Sequence, residues 1–351
     1  MLYRCELKKS LVTYQGAWIL AVCLLLKLAL LCAFPEQKDP RILLSQKQYD
    51  NYLTQLYGEN TRAKSDWILG ERQHIKDVLD REEAMWERYA RGELSEAEWD
   101  AYGEELRLAR LHRNAVEIFG EKADQFSAQP EDIPPAHYIY EYGWQTVFTL
   151  LRFPDIFLLS AILLLTAQSF PAEAAGGMLP ILLAARDGRG RLYRAKLLAL
   201  LTIGLGGWLV SGGLEVAVFL LRGWCDDAAA PLYSVTALTD SALHLSLGQG
   251  YALCLGVRLL VVLLVTALLF GLSVWVRSAT NLIFLGLCLL GLPLLWDGGS
   301  MLYTHGGLLS GTRMLLWLGD SVGNLLLPLA VVAAYSVAVS VLAARHHARG
   351  L

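Results

Sequence analysis

Residues 251–276 read YALCLGVRLLVVLLVTALLFGLSVWV, and Arg258 is the one charge among them. A stretch this long and this apolar has no polar face to give to water. Wound as a helix at 1.5 Å per residue, it is long enough to cross the roughly 30 Å hydrocarbon layer of a bilayer. Five more apolar runs of spanning length lie at about 11–34, 147–169, 197–221, 281–296 and 320–343. The chain is 55% hydrophobic yet 18% charged, so the two kinds of residue are segregated along it. The pattern predicts an all-α, polytopic membrane protein with six transmembrane helices.

Three regions follow. Residues 1–34 hold the N-terminus and the first span, residues 35–145 form a polar, helix-like block, and residues 146–351 carry five more spans. Arg4, Lys8 and Lys9 precede the first apolar run as they would in a signal peptide, but the run is too long for one and has no small-x-small cleavage site before Pro35. It predicts a retained anchor. Lys27 falls inside it, in the outer third, where its long stem is expected to carry the ammonium to the interface.

Orientation follows from the basic residues in the short loops. One side collects Arg4, Lys8, Lys9, Arg186, Arg189, Arg191, Arg194, Lys196, Arg277, Arg345 and Arg349, whereas the other offers Arg222 and Arg313 beside several aspartates. Both termini are therefore expected in the cytoplasm of a multi-pass plasma-membrane protein. The 35–145 block is then extracytoplasmic.

Within that block Trp67, Ile75, Val78, Leu79, Met85, Trp86 and Tyr89 recur at helical spacing, which predicts one amphipathic helix over 66–91. After Arg91-Gly92, Ser95 and Glu98 make a capping box for a second helix bearing Trp99, Tyr102, Leu106, Ala109, Val116 and Phe119. The expected unit is an antiparallel helical hairpin, whose acidic balance suits a solvated structural or lid surface and would also attract a cationic peptide. His74, His112 and His137 stand apart in the sequence, and the six cysteines show no CxxC spacing, so neither a metal site nor a disulfide framework is expected. Cys32 and Cys225 alone are placed to meet on the outer side.

The segment 169–196 reads SFPAEAAGGMLPILLAARDGRGRLYRAK. Phe170-Pro171 ends a span, and Pro171 with Glu173 suits the first turn of a short helix, where a carboxylate interacts well with the helix dipole. Gly176, Gly177 and Pro180 make the backbone pliable, Met178 and Leu182 belong to an apolar surface, and five cations follow within eleven residues. Such a cytoplasmic element suits docking of a soluble partner.

Phe170, Glu173, Gly177-Met178, Leu182, Gly188-Arg189 and Lys196 resemble the loop between the second and third spans in permease subunits of ATP-binding cassette (ABC) exporters of the second class. The six-span plan agrees with that resemblance, as does a Gly-interrupted apolar stretch at 299–318, which is similar to the family's re-entrant outer helices. The long outer hairpin departs from the common pattern and resembles insertions in bacterial exporters of peptide antibiotics. The resemblance implies that Phe170, Glu173, Gly176, Gly177, Met178, Leu182, Gly188, Arg189 and Lys196 couple the chain to a cytosolic ATPase. It also implies a second permease subunit, identical or similar, and an amphipathic, peptide or lipid-like substrate.

The chain has no G-x-x-x-x-G-K-[S/T] phosphate loop, so ATP and Mg are expected on the partner and no cofactor on this chain. Residues 245–249, LSLGQ, lack any accompanying phosphate loop and are not read as an ATPase signature. No catalytic residues, metal ligands or nucleic-acid-binding features are expected. An immunity or sensory protein whose outer hairpin binds a ligand is the alternative reading. Finally, Glu215 and Arg258 lie at matched depth in consecutive antiparallel spans, about 9–11 Å from the outer surface at 1.5 Å per residue. Opposite charges at one depth predict an intramembrane pair.

Overall fold

The computed structural model describes residues 2–129, 133–151, 155–177, 188–239, 241, 243–276, 278–295 and 322–349. The helices in chain order are α1 (Leu2–Lys8), α2 (Gly16–Ala33), α3 (Pro40–Leu43), α4 (Gln46–Leu56), α5 (Arg62–Asp80), α6 (Glu82–Ala90) and α7 (Glu96–Ser127). Then come α8 (Tyr142–Leu151), α9 (Ile156–Ala167), α10 (Phe170–Ala175), α11 (Gly188–Leu221), α12 (Leu247–Trp275), α13 (Ala279–Leu295) and α14 (Val322–Arg349). Among the described residues the one sheet is a two-residue antiparallel ladder, β1 (Gly58–Glu59) on β2 (His137–Tyr138). The described residues are thus mostly helical.

Among the described residues, four stretches are long and apolar enough to cross a membrane: Gly16–Ala33, Tyr142–Ala175, Gly190–Leu221 and Leu247–Trp275. Ala279–Leu290 is a shorter apolar helix. The expected re-entrant stretch at 299–318 lies outside the described residues.

The chain divides into two compact units. The first comprises Met1–Pro35, Val147–Trp224 and Gln249–Leu351, and the second Glu36–Thr146 and Cys225–Gly248.

In the first unit α9 is the central helix. Its sequence, IFLLSAILLLTA, is apolar on every side, and Leu158, Leu159, Ala161, Ile162, Leu163, Leu165 and Ala167 are all buried. It packs on α2, α11 and α13. Close approach needs small residues opposite it: a Cβ on Gly207 of α11 would sit 2.6 Å from Leu158, and one on Gly286 of α13 would sit 2.3 Å from Leu163. Asp155 starts α9 as its N-cap, one carboxylate oxygen accepting from the Leu158 amide at 3.1 Å. Before α2 the chain does not run straight into the span. It folds as α1 and a π-helical turn at Lys9–Thr13, and α1 packs along α11. Arg222 closes the far end of α2 by donating to the carbonyls of Phe34, at 2.7 Å, and Cys32, two groups that the helix itself leaves unsatisfied.

The second unit is built on α5 and α7, which pack along each other. Ser95 and Glu98 close the expected capping box at the start of α7. The first arm differs from expectation: α5 ends at Asp80 and α6 begins at Glu82, with Arg81 capping both. The preceding α4 supplies Tyr49, Tyr52 and Leu56 to the same core, and Tyr49 stacks on Phe119 with ring centroids 4.9 Å apart.

The unit also draws in residues 225–248, a segment without helical periodicity. There the Ser234 hydroxyl accepts from the His137 amide at 2.8 Å, while Thr236 donates to Glu141 through its amide at 2.7 Å and its hydroxyl at 2.8 Å. Cys32 and Cys225 are both free thiols. Burial, with Asp226 beside it, pushes the Cys225 thiol up to about 11.

Candidate functional site

Four charged side chains converge among the apolar helices of the first unit. Ser211 and Glu215 are four residues apart on α11 and so share one face. Arg258, on α12, brings Nη1 to 3.0 Å from both carboxylate oxygens of Glu215. Lys27, on α2, places Nζ 2.7 Å from the same Glu215 Oε1 and 2.6 Å from Asp155 Oδ2. The Ser211 hydroxyl accepts from Lys27 and donates to Asp155. All four charged side chains are at most 10% exposed.

The expected position of Lys27 is corrected by this geometry. Its ammonium does not reach out to an interface, because two carboxylates hold it inside. Two cations and two anions give a group of zero net charge, which is the condition under which buried ions are tolerable: each charge taken out of water is opposed at hydrogen-bond distance. The sequence reading found the Glu215 and Arg258 half from matched depth and missed Lys27 and Asp155. Asp155 follows Pro154 inside the run at 147–169, which reads as one span although Arg152-Phe-Pro-Asp breaks its apolar sequence. The missed signal was the break itself, since an aspartate that caps a buried helix is held inside with it.

A second ionic group gathers around α10. Glu173 Oε1 lies 2.5 Å from Lys9 Nζ and 2.7 Å from Lys196 Nζ, and Lys196 also reaches Glu6 Oε2 at 3.1 Å. Its ammonium stands 5.3 Å over the Phe170 ring. That ring in turn packs on Tyr193, Phe270 and His347, so α10 is joined to α11, α12 and α14. Partial burial opposes the charge on Lys9, but hydrogen bonds to Glu173 and Tyr14 outweigh it and hold this ammonium above its usual range.

No protein-family model, curated protein or solved structure matches this chain.

Of the nine residues that the sequence reading associated with partner coupling, Phe170, Glu173 and Lys196 are thus brought together. The Glu173 carboxylate is turned inward, 3% exposed, with Oε2 lacking a hydrogen-bond partner among the described residues. Gly176 and Gly177 follow the end of α10 on the surface. Gly177 has φ +66° with nothing among the described residues within 4 Å of a Cβ, so glycine is favoured there by backbone conformation. Gly188 and Arg189 open α11. Met178 and Leu182 lie outside the described residues.

The histidines of the second unit are not all isolated. His74 and His112 line one cavity of about 330 Å³ together with Glu71 and Glu105. His112 Nδ1 is 3.0 Å from the Tyr52 hydroxyl, which also donates to Glu71 at 3.1 Å, and His74 Nε2 is 3.8 Å from Glu105. No group of three or more His, Cys, Asp or Glu with metal-holding geometry occurs among the described residues.

Proposed function

We propose that this chain is the membrane-spanning subunit of an ATP-driven exporter of the ABC type. In this reading six helices cross the plasma membrane, both termini are cytoplasmic, and the polar unit stands outside the cell. A separate cytosolic subunit binds ATP and Mg and hydrolyses the nucleotide. Two permease subunits, identical or similar, flank a path for an amphipathic, peptide or lipid-like substrate. The loop at 170–196 receives the ATPase.

The observation that carries the reading is the inward Glu173. A loop that merely connects two spans has no need of a buried carboxylate tied to lysines on two other elements. Here Glu173 ties α10 to the π-helical turn ahead of α2 through Lys9, and to α11 through Lys196. Displacement of the exposed end of α10 is therefore delivered to two long apolar helices at once. In this arrangement Glu173 transmits and does not touch the partner. Contact falls to the exposed surface at Ala175–Gly177.

Affinity purification of the tagged full chain from its native membrane tests the proposal. The expected result is a cassette ATPase in stoichiometric amount, released when Gly177→Trp places an indole on the docking surface while membrane insertion is unchanged. A chain that purifies without an ATPase under several mild detergents would sink the reading.

A further inference from the structure

A series of rings leads outward from the core of the second unit at the turn between α6 and α7. Tyr102 is 5% exposed and donates its hydroxyl to the Val78 carbonyl at 2.8 Å. Trp99 packs on it with centroids 6.0 Å apart, Tyr89 stacks on Trp99 at 4.9 Å, and Trp86 lies 5.6 Å from the same indole. Trp86 ends the series 55% exposed, whereas Tyr89 and Trp99 are half-buried. An indole held out to water on a base fixed to the core gains from being covered, and it loses little freedom when that happens.

The charges around these rings are mostly of one sign. Between Glu82 and Asp100 the chain has seven acids and two arginines, and both arginines, Arg88 and Arg91, face the same Glu93, at 3.7 and 3.2 Å. Glu83, Glu87, Glu96 and Asp100 are exposed and make no ion pair or hydrogen bond among the described residues. Glu83 and Glu96 stand three residues before Trp86 and Trp99, so each shares a helix face with its tryptophan. Each also has a like charge four residues on, Glu87 and Asp100, a spacing that works against the helix unless a cation intervenes. No three of these carboxylates are grouped to hold a metal ion. The face thus offers an open indole and four uncommitted acids spread over two helices.

We propose that this face docks a cationic peptide that also carries apolar side chains. Its Lys or Arg groups meet Glu83, Glu87, Glu96 and Asp100 and lie over the Trp86 ring, while its apolar side chains cover the indoles. Acids distributed along two helices select a ligand with several cations at intervals, which a single ammonium headgroup lacks. The exposed ring selects against a purely polar polycation such as spermine. The face lies wholly within the second unit and holds whether or not the chain is an exporter.

The test is fluorescence anisotropy of a dye-labelled pentapeptide, Arg-Leu-Arg-Trp-Arg, titrated with the purified full chain in a non-ionic detergent. A saturable rise is expected, and the counterpart Glu-Leu-Glu-Trp-Glu should give none. Trp86→Ala should weaken the apparent affinity roughly tenfold, as truncation of an aromatic anchor does. The double variant Glu83→Gln, Glu87→Gln should weaken it as well and flatten its dependence on salt. All three side chains are exposed, so both variants should fold as the wild type does, and Asp66→Asn, near the other end of α5, should bind normally. Spermine should displace the peptide only at far higher concentration than unlabelled peptide does. Absence of a saturable rise in the wild-type chain would overturn the proposal. So would equal binding of the glutamate peptide, displacement by spermine as readily as by peptide, or a rise that Trp86→Ala leaves intact, which would place the peptide on the micelle.

Discussion

Lys27 Nζ and Asp155 Oδ2 stand 2.6 Å apart, one on the first long apolar helix and the other at the head of the central one, with side chains 6% and 9% exposed. The contact explains how a lysine is accommodated in the middle of GAWILAVCLLLKLALLCA. It also gives Asp155 two roles at once, capping α9 through one oxygen and neutralising Lys27 through the other. With Glu215 and Arg258 the pair forms an ionic knot that α2, α9, α11 and α12 all enter.

Removing one member should therefore cost more than removing an opposite pair. Lys27→Met leaves two buried carboxylates facing Arg258 alone, and breaking a buried ion pair in this way costs on the order of 3–5 kcal/mol. The double variant Lys27→Met, Asp155→Ser removes one charge of each sign and keeps an N-cap acceptor for α9. It should recover most of the lost thermal stability, read as the midpoint of monodisperse protein in fluorescence-detected size exclusion. A double variant no better than Lys27→Met would show that these charges do not depend on each other.

The Glu215 and Arg258 contact makes a less obvious prediction. Exchanging the two residues would restore an isolated pair, but Lys27 also touches Glu215, at 2.7 Å. The exchange puts a guanidinium against that ammonium. We expect the swapped chain to be as poorly folded as Arg258→Gln, whereas Arg258→Gln, Glu215→Gln, which leaves Lys27 with Asp155, should exceed Arg258→Gln in folded yield by severalfold. Equal yields for the two would argue that α11 and α12 are held by apolar packing alone.

How much of this was legible in the sequence depends on the range of the interaction. The apolar runs, the helical stripes beside Trp67 and Trp99, and the capping box of Ser95 and Glu98 are local patterns, and each has its counterpart in the structure. Break points governed by tertiary packing were not legible: nothing in residues 66–91 marks Arg81 as the place where one arm becomes α5 and α6. The contribution of residues 225–248 was hidden for the same reason. Thr236 and Glu141 are 95 positions apart, and neither has a periodicity that points to the other. Glu215 and Arg258 were found because depth in a span is a coordinate that sequence supplies. Asp155 falls inside the run at 147–169, but that run was read as one span, and the helix start that Asp155 caps was not marked in it.

Two glycines should respond unequally to alanine. A Cβ on Gly16 would lie 2.3 Å from the backbone oxygen of Ser10 and 2.5 Å from Leu165 Cδ2, so the turn ahead of α2 has to shift. Gly177 meets nothing within 4 Å among the described residues but has a φ of +66°, which costs an alanine only about 1 kcal/mol. Gly16→Ala is expected to lower the unfolding midpoint clearly and Gly177→Ala to lower it little. The reverse order would mean that the segment before α2 yields easily and that the end of α10 is held more tightly than its open surroundings indicate.

The last prediction separates the two lysines that share Glu173. Lys9 is 33% exposed on its side chain, so water screens its bond, and Lys9→Met should cost no more than about 1 kcal/mol. Its raised ammonium value means that this contribution is fully present at neutral pH and fades only as pH rises through that value. Lys196 is 4% exposed and cannot turn to water. In Glu173→Gln it keeps only Glu6, at 3.1 Å, as a counter-ion. That change should cost on the order of 2–4 kcal/mol, since a buried cation loses its nearest anion. The order of unfolding midpoints should accordingly be wild type, then Lys9→Met slightly below, then Glu173→Gln well below. Were Lys9→Met and Glu173→Gln to fall equally, the tie between α10 and the turn ahead of α2 would be the stronger of the two, and the exposed lysine would be the one that matters.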